Sequence, residues 1–327
     1  MKISRLIFDS YSEKNQNKNQ FAEDVDKGLS SHPKNISSKY FYDDLGSQIF
    51  QKITQLDDYY PTRTEYQILN SLKDTLPEII GAGQVDIVEL GVGDGHKTKI
   101  LIDSFLEKGV KVNFLPIDIS KEALHLMEKN FTSHANLSVH GIVSDYIEGL
   151  SFARSLSENK MITLFLGSNI GNFSREECLM VLRQVHSLLR ERDYLLIGFD
   201  LKKDIDLMTR AYSDKEGITA EFNVNLLRRI NNELGGNFVI ENFKHQAFYN
   251  PELGAMESYL ISLQDQEVRI SALNKTFHFD AFEPLHLEYS FKFLEKEIVQ
   301  IGNESGFKTV TNFKDPRDLF VDALWQA

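Results

Sequence analysis

Val85-Asp86-Ile87-Val88-Glu89-Leu90-Gly91-Val92-Gly93-Asp94-Gly95 decides how the rest of the chain is read. A short apolar run, the pattern of a buried strand, ends in an acid and passes into a G-x-G-x-G turn with a helical stretch behind it. Glycines there let the backbone reverse sharply and approach a flat ligand without Cβ interference. About twenty residues later, Phe114-Leu115-Pro116-Ile117-Asp118 is a second apolar run that also ends in a carboxylate. In a doubly wound sheet such an acid lies beside the first loop and can accept both hydroxyls of a ribose. An adenosine-containing cofactor is the expectation.

Working outward, the pattern predicts strands at Val85–Leu90, Val112–Ile117, Leu137–Val143, Met161–Leu166 and Tyr194–Asp200. Helices fall between them at about Lys97–Lys108, Lys121–Asn130 and Arg175–Leu189. Alternation of this kind predicts a parallel sheet covered on both faces, an α/β fold. Upstream, residues 1 to about 35 are polar and poorly periodic, which reads as a partly ordered arm. Tyr40, Phe41, Tyr42, Tyr59 and Tyr60 then crowd around a short helical pattern from Gly46 to Leu56. Pro61 suits a first helical turn, and Thr62 to Glu65 has the spacing of a capping box.

Past Asp200 the rhythm changes. Asp204–Tyr212 and Ile218–Leu234 read as helices; Phe238–Tyr249, Met256–Asp265, Gln266–Leu273 and Thr276–Phe279 read as antiparallel strands, with another at Leu285–Phe291. A helix at Phe293–Ser305 and a strand at Phe307–Phe313 follow, with Asp322–Gln326 as the last strand or a tail. The simplest account is a cofactor sheet interrupted by a substrate-binding insertion. Residues 1–66 and 201–291 would form the substrate-binding domain, and residues 67–200 and 292–327 the cofactor domain.

Composition narrows the function. The 327 residues are 42% hydrophobic and 26% charged, as in an ordinary soluble domain, with a net charge of −12 that disfavours nucleic acids and anionic membranes. Cys178 is the only cysteine, so disulfides and cysteine zinc sites are excluded and the thiol reads as a buried small hydrophobe. No run approaches the roughly 20 apolar residues of a membrane span, and the N-terminus has no signal-peptide core, so a cytoplasmic monomer is expected. The histidines show no HxxxH or HExxH spacing, and no metal is expected.

Glu89 and Asp94 beside the glycine turn would repel the pyrophosphate of a dinucleotide but suit a cation. S-adenosylmethionine carries no phosphate and has a positive sulfonium, so it fits better than NAD or FAD. After the third strand, Asp145 and Tyr146 offer a carboxylate and a neighbouring amide for an adenine edge; an ordinary N-cap at Asp145 is the other reading. Asn172, beyond the fourth strand, could hold a substrate's amino or carboxylate group or satisfy its own turn.

Tyr40-Phe41-Tyr42-Asp43, Gly46-Ser47, Tyr59 to Glu65, Glu89-Leu90-Gly91 with Lys97-Thr98, and Phe165-Leu166-Gly167 through Gly171-Asn172-Phe173 occur together. So do Asp200-Leu201-Lys203-Asp204, Ala211-Tyr212, Ala220-Phe222-Asn223 and Asn231-Glu233-Leu234. In these residues, from about Pro33 to the C-terminus, the chain resembles the L-histidine Nα-methyltransferase family of the ergothioneine pathway. The resemblance implies a class I S-adenosylmethionine methyltransferase (Rossmann-like) doubly wound sheet with a family-specific α+β substrate-binding insertion domain. It implies three methylations of the histidine α-amine, giving hercynine.

By the same resemblance, Tyr59, Asn172 and Tyr212 would hold the amino-acid head and Tyr42 would lie near the imidazole. Glu288 and Ser290 would accept from the ring nitrogens, while Gly91, Lys97, Asp118, Asp145 and Tyr146 would hold the cofactor. Where the family usually carries a methionine, this chain has Ser258, with Met256 two residues earlier and on the same face of a strand. That makes the pocket wall smaller and more polar and keeps another imidazole or cationic amino acid as an alternative acceptor. Water or a polar group at Tyr42, Tyr59 or Asn172 would take the amine proton, with no dedicated base assigned. Methylation of a peptide or another small amine, or a cofactor-binding module without turnover, are the remaining alternatives.

Overall fold

The computed structural model describes residues 4–10 and 14–327. Strand β1 (Ser4–Asp9) is followed by helices α1 (Lys14–Ser30), α2 (Asp44–Ile53), α3 (Tyr60–Leu72) and α4 (Thr75–Ile80). Alternation then sets in with β2 (Gln84–Leu90), α5 (His96–Glu107), β3 (Lys111–Asp118), α6 (Lys121–Glu128) and β4 (Leu137–Val143). It continues through α7 (Tyr146–Ser155), β5 (Lys160–Phe165), α8 (Arg175–Leu188) and β6 (Tyr194–Asp200). Helices α9 (Ile205–Tyr212) and α10 (Ile218–Leu234) lead into strands β7 (Phe243–Asn250), β8 (Ala255–Ser262), β9 (Gln266–Ile270), β10 (Lys275–Phe279) and β11 (Pro284–Phe291). Helix α11 (Glu295–Glu304) and strands β12 (Lys308–Lys314) and β13 (Phe320–Gln326) come last.

Two compact units share these elements. The first takes the described residues of Met1–Tyr11 together with Pro61–Lys202 and Lys292–Ala327. Its sheet runs β1-β4-β3-β2-β5-β6-β13-β12. Strand β2 pairs in parallel with β3 on one side and β5 on the other, so the strand order reverses there. A reversal of this kind leaves a crevice beyond the strand C-termini, which is where the glycine loop begins. Strands β2, β5 and β6 are buried along nearly their whole length, because helices cover both sheet faces. Ile68 and Leu72 of α3, Leu101 and Phe105 of α5, and Ile87, Phe114 and Leu196 of the strands build one core.

At the root of the insertion the sheet is tied internally. The Phe293 amide donates to the Asp200 carbonyl at 2.9 Å and the Lys202 amide to the Phe293 carbonyl at 2.9 Å. Lys292 Nζ meets Asp200 Oδ2 at 2.9 Å, and both side chains are completely buried.

The second unit takes the described residues of Ser12–Tyr60 together with Lys203–Phe291. An antiparallel sheet β11-β8-β7 packs under α10, and β9 and β10 form a separate hairpin. Phe41, Phe222, Leu226, Leu260, Phe279 and Leu287 lie in its core. A bulge separates His286, which pairs with Tyr259, from Glu288, which pairs with Ser258.

Several expectations need correction. Residues 4–9 form β1, pairing in parallel with β4, and α1 buries Phe21, Val25 and Leu29 at four-residue spacing. A single apolar residue per turn in a polar background hid that helix; residues 1–3 and 11–13 of the expected arm lie outside the described residues. The described residues up to Ser10 and Pro61–Tyr66 belong to the first unit and not, as the expected boundary had it, to the one that holds residues 203–291, because β1 joins its sheet and the body of α3 its core. Helix α3 starts at Tyr60, so Thr62 and Glu65 lie inside it and form no capping box. Residues 240–242 form a 3₁₀ turn, shortening the strand expected from Phe238. Among the described residues, no helix is long and apolar enough to cross a membrane.

Candidate functional site

In the first unit the loop after β2 is built on three left-handed glycines, Gly91 (φ +78°), Gly93 (φ +55°) and Gly95 (φ +69°). The Gly91 amide donates to the Ile117 carbonyl at 2.9 Å, which docks the loop onto the end of β3. A Cβ on Gly91 would lie 3.3 Å from Tyr146 Oη and 3.4 Å from Asn169 Nδ2, whereas one on Gly93 would meet nothing within 4 Å. The loop is therefore walled at Gly91 and open at Gly93. Asp118 accepts from the Gly93 amide at 3.2 Å through Oδ2 and from the Ser120 amide at 2.9 Å through Oδ1. Burial raises its pKa to about 6 against the pull of these amides. Asp145 does cap α7: its Oδ1 accepts from the Ile147 and Glu148 amides at 3.0 and 2.9 Å.

Glu89 is buried, and its Oε2 has no hydrogen-bond partner among the described residues. Burial pushes its pKa to about 8, with Glu65 and Asp94 adding to the rise and Thr98 and Lys97 opposing it. A buried carboxyl without a hydrogen-bond partner gives up its proton most readily to a ligand cation placed beside it, so the loop fits a nucleoside that carries positive charge.

The folded state holds the Glu89 proton more tightly than the unfolded chain, whose carboxyl titrates near 4.5. The free protein therefore loses stability as pH rises from about 4.5 to about 8. At pH 7 about nine in ten of these carboxyls carry a proton. A cationic ligand placed beside Glu89 should release about one proton on binding at pH 7, and its affinity should rise up to about tenfold per pH unit until about pH 8. Calorimetry in two buffers of different ionisation enthalpy measures this. Glu89→Gln should abolish the release and raise the melting temperature of the free protein at pH 8 but not at pH 4.

Lys97, expected at the cofactor, has its Nζ 2.6 Å from Glu65 Oε2. That bond uses one of the three ammonium donors. Glu65 Oε1 accepts from the Gly167 amide at 2.7 Å, and the side chain is wholly buried. Sequence reasoning missed Glu65 by treating it as a cap. The available signal was its place at i, i+3, i+4 and i+7 with Ile68, Leu69 and Leu72, an acid on an apolar helical stripe. Asn172 ends the 3₁₀ turn Asn169–Asn172 in this same unit and is half-buried. Cys178 is buried, its thiol raised to about 12 by burial with Arg175 opposing, as befits an inert packing residue.

In the second unit, Tyr42 and Tyr59 both pack edge-on against Phe50, with ring centroids 5.5 and 6.2 Å away, and Tyr42 also meets Phe222 at 5.5 Å. Asp43 holds this group together by accepting from the Gly46 amide at 2.7 Å and from Asn225 Nδ2 at 2.8 Å. Tyr212 Oη and Ser290 Oγ are 2.6 Å apart. Ser290 pairs across the sheet with Met256 and Glu288 with Ser258, so these four share one face. Ser258 and Met256 are both buried. Asp265, His278 and Asp280 also bring ligand atoms within 4.8 Å of one another, on exposed side chains away from these residues in sequence.

A family model of histidine-specific, SAM-dependent methyltransferases matches residues 21–327. The histidine N-alpha-methyltransferase of Mycolicibacterium smegmatis is 35% identical over 299 residues, covering 91% of this chain and 92% of that protein. The enzyme of the same name from Mycobacterium tuberculosis is 36% identical over 272 residues, covering 83% of each. Ergothioneine biosynthesis protein 1 of Schizosaccharomyces pombe is 31% identical over 291 residues, which cover 85% of this chain but 37% of that protein. Among solved structures, an S-adenosylmethionine-dependent methyltransferase from Clostridium acetobutylicum aligns with a TM-score of 0.42 at 13% identity, covering 80% of this chain and 91% of that one.

Proposed function

The chain belongs to the histidine-specific, S-adenosylmethionine-dependent methyltransferase family, and from that premise we propose that it methylates the α-amine of L-histidine three times to give hercynine. It is an S-adenosylmethionine-dependent N-methyltransferase. The observation that carries the choice of acceptor is Glu288, set by the bulge in β11 in register with the buried Ser258. A carboxylate on that face is an acceptor for an imidazole N–H.

S-adenosylmethionine, when bound, supplies a methyl group already activated on a sulfonium. The protein then contributes position and electrostatics rather than a covalent nucleophile. Gly91, Asp118, Asp145, Tyr146 and Lys97 hold the cofactor; the open face at Gly93 and the orphaned oxygen of Glu89 support that assignment. Tyr59, Asn172 and Tyr212 hold the amino-acid head. Glu288 and Ser290 orient the ring. Before each transfer the α-ammonium gives a proton to water hydrogen-bonded by the Tyr42 and Tyr59 hydroxyls. Each of the three transfers needs one such deprotonation; after the third no N–H remains, and the pocket has to fit a bulky permanent cation. The faces of Tyr42 and Tyr59 stabilise such a cation by cation–π attraction, held in place by their edge-on packing against Phe50.

Mass spectrometry after incubation with S-adenosylmethionine and a panel of free amino acids tests this. Histidine is expected to gain three methyls. Accumulation of a singly or doubly methylated product would overturn trimethylation, and modification of another amine with histidine untouched would overturn the acceptor.

A further inference from the structure

Two buried acids meet where α3 crosses the ends of β6 and β13. Glu65 comes so close to β6 that a Cβ on Gly198 would lie 2.6 Å from its Oε1, so the glycine at that position leaves room for the carboxylate. On the adjoining strand, Asp322 pairs directly with Gly198. Residues paired this way carry their Cβ positions about 5 Å apart on one sheet face. Asp322 is therefore held against Glu65. It is fully buried, and neither of its oxygens meets a protein donor among the described residues. Both oxygens of Glu65, in contrast, accept N–H bonds, one from Lys97 and one from Gly167.

We propose that Glu65 is a positioning residue, fixing the Lys97 ammonium and the Gly167 amide at the cofactor site as an ion, and that Asp322 beside it is a neutral acid whose O–H donates to Glu65. The proposal rests on the assignment of Lys97 to the cofactor. Its physical basis is the charge balance. Glu65, Asp322 and Glu89 are three buried carboxyls, and Lys97 is the cation they share. Two touching carboxylates in a dry site cannot both ionise, because the repulsion adds to the desolvation cost. The one with two N–H donors keeps the charge, and the one with none keeps the proton. Burial, then repulsion from Glu65, raises the pKa of Asp322 well above the usual carboxylate range, with Lys97 opposing. The other groups facing this cluster are Tyr66 on α3 and Asp94 in the glycine loop.

A neutral Asp322 lets one lysine serve Glu65 without a second full negative charge drawing it away. The Gly167 amide, fixed by the same carboxylate, opens the loop that carries Asn169 and Asn172. Glu65 thereby links the start of α5 to the end of β5.

The test combines cofactor binding with a direct view of the proton. Infrared spectra of the full-length Glu89→Gln protein at pH 7.5 in heavy water, which lacks the Glu89 proton, are expected to show a buried carboxylic-acid carbonyl band that disappears when Asp322→Asn is added; retention of the full band in that double variant would overturn the proton assignment. Calorimetry with S-adenosylhomocysteine alone is expected to show at least about tenfold weaker binding for Glu65→Gln but less than about threefold for Asp322→Asn, since asparagine keeps the donor. Equal losses in the two variants would mean that Asp322 acts as a charge, and unchanged binding in Glu65→Gln would reduce Glu65 to a packing role. Lys97→Met separates the premise. If it binds S-adenosylhomocysteine as the parent does, Lys97 is not a cofactor residue and the positioning role falls with it, while the infrared result still decides the shared proton.

Discussion

Lys292→Met is expected to lower the melting temperature by roughly 6–20 °C, the largest effect on stability foreseen for this protein. Lys292 and Asp200 are paired at 2.9 Å with both side chains completely buried. Removing one partner leaves a buried charge without its counter-ion, which costs about 3–5 kcal/mol. The pair sits where the chain leaves and re-enters the first unit, beside the backbone bonds that join Phe293 to Asp200 and Lys202. The Asp200 amide also donates to Ser168 Oγ at 3.0 Å, in the turn that leads to Asn172. Calorimetric unfolding measures the shift. The double variant Asp200→Leu/Lys292→Met should recover most of the loss, because an apolar pair of similar volume needs no counter-ion. A double variant as unstable as the single one would show that packing rather than charge is at stake.

Glu288→Ala is expected to weaken histidine binding by at least about tenfold, since Glu288 is half-buried and a hydrogen bond to a charged group contributes about 1.5–3 kcal/mol. Binding of S-adenosylhomocysteine should stay within about twofold. Separate titrations with each ligand make the comparison. Equal losses for both would place Glu288 outside the acceptor pocket. Glu288→Gln should fall between the parent and the alanine variant, because its carbonyl still accepts one bond from the ring.

Much of the fold was legible because its signals are local. Strands β4 and β6 and helix α10 begin and end at the residues expected from their periodicity. The alternation from β2 to β6 foretold the parallel, doubly wound sheet, and the glycine turn foretold the left-handed loop at its switch point. Helices α4 and α7 went unread, α4 because it has only six residues and α7 although Asp145 had been weighed as an N-cap and does cap it. The N-terminal strand was missed for a different reason. Six residues carry too little pattern to announce a strand whose partner, β4, lies more than a hundred residues away.

The candidate site divides in the same way. Gly91, Asp118 and Tyr146 were legible because motif and spacing place them at strand ends. Glu65 and Asp322 were not. Each is an acid inside an apolar pattern, and only the crossing of α3 over Gly198 and the pairing of β13 with β6 bring them together.

By itself the sequence determined the class of fold, the cofactor loop, and, by resemblance, a histidine acceptor, since these depend on residue types at short spacing. Which face of β11 carries Glu288 was decided only in three dimensions. Strict alternation from Leu285 and Leu287, both buried in the core, would turn Glu288 to the opposite side. The bulge between His286 and Glu288 resets the count by one residue and brings Glu288 and Ser290 to the face of Ser258 and Met256. A period of two can be read from a sequence, but the single inserted residue that inverts it becomes visible only in the register with the neighbouring strand.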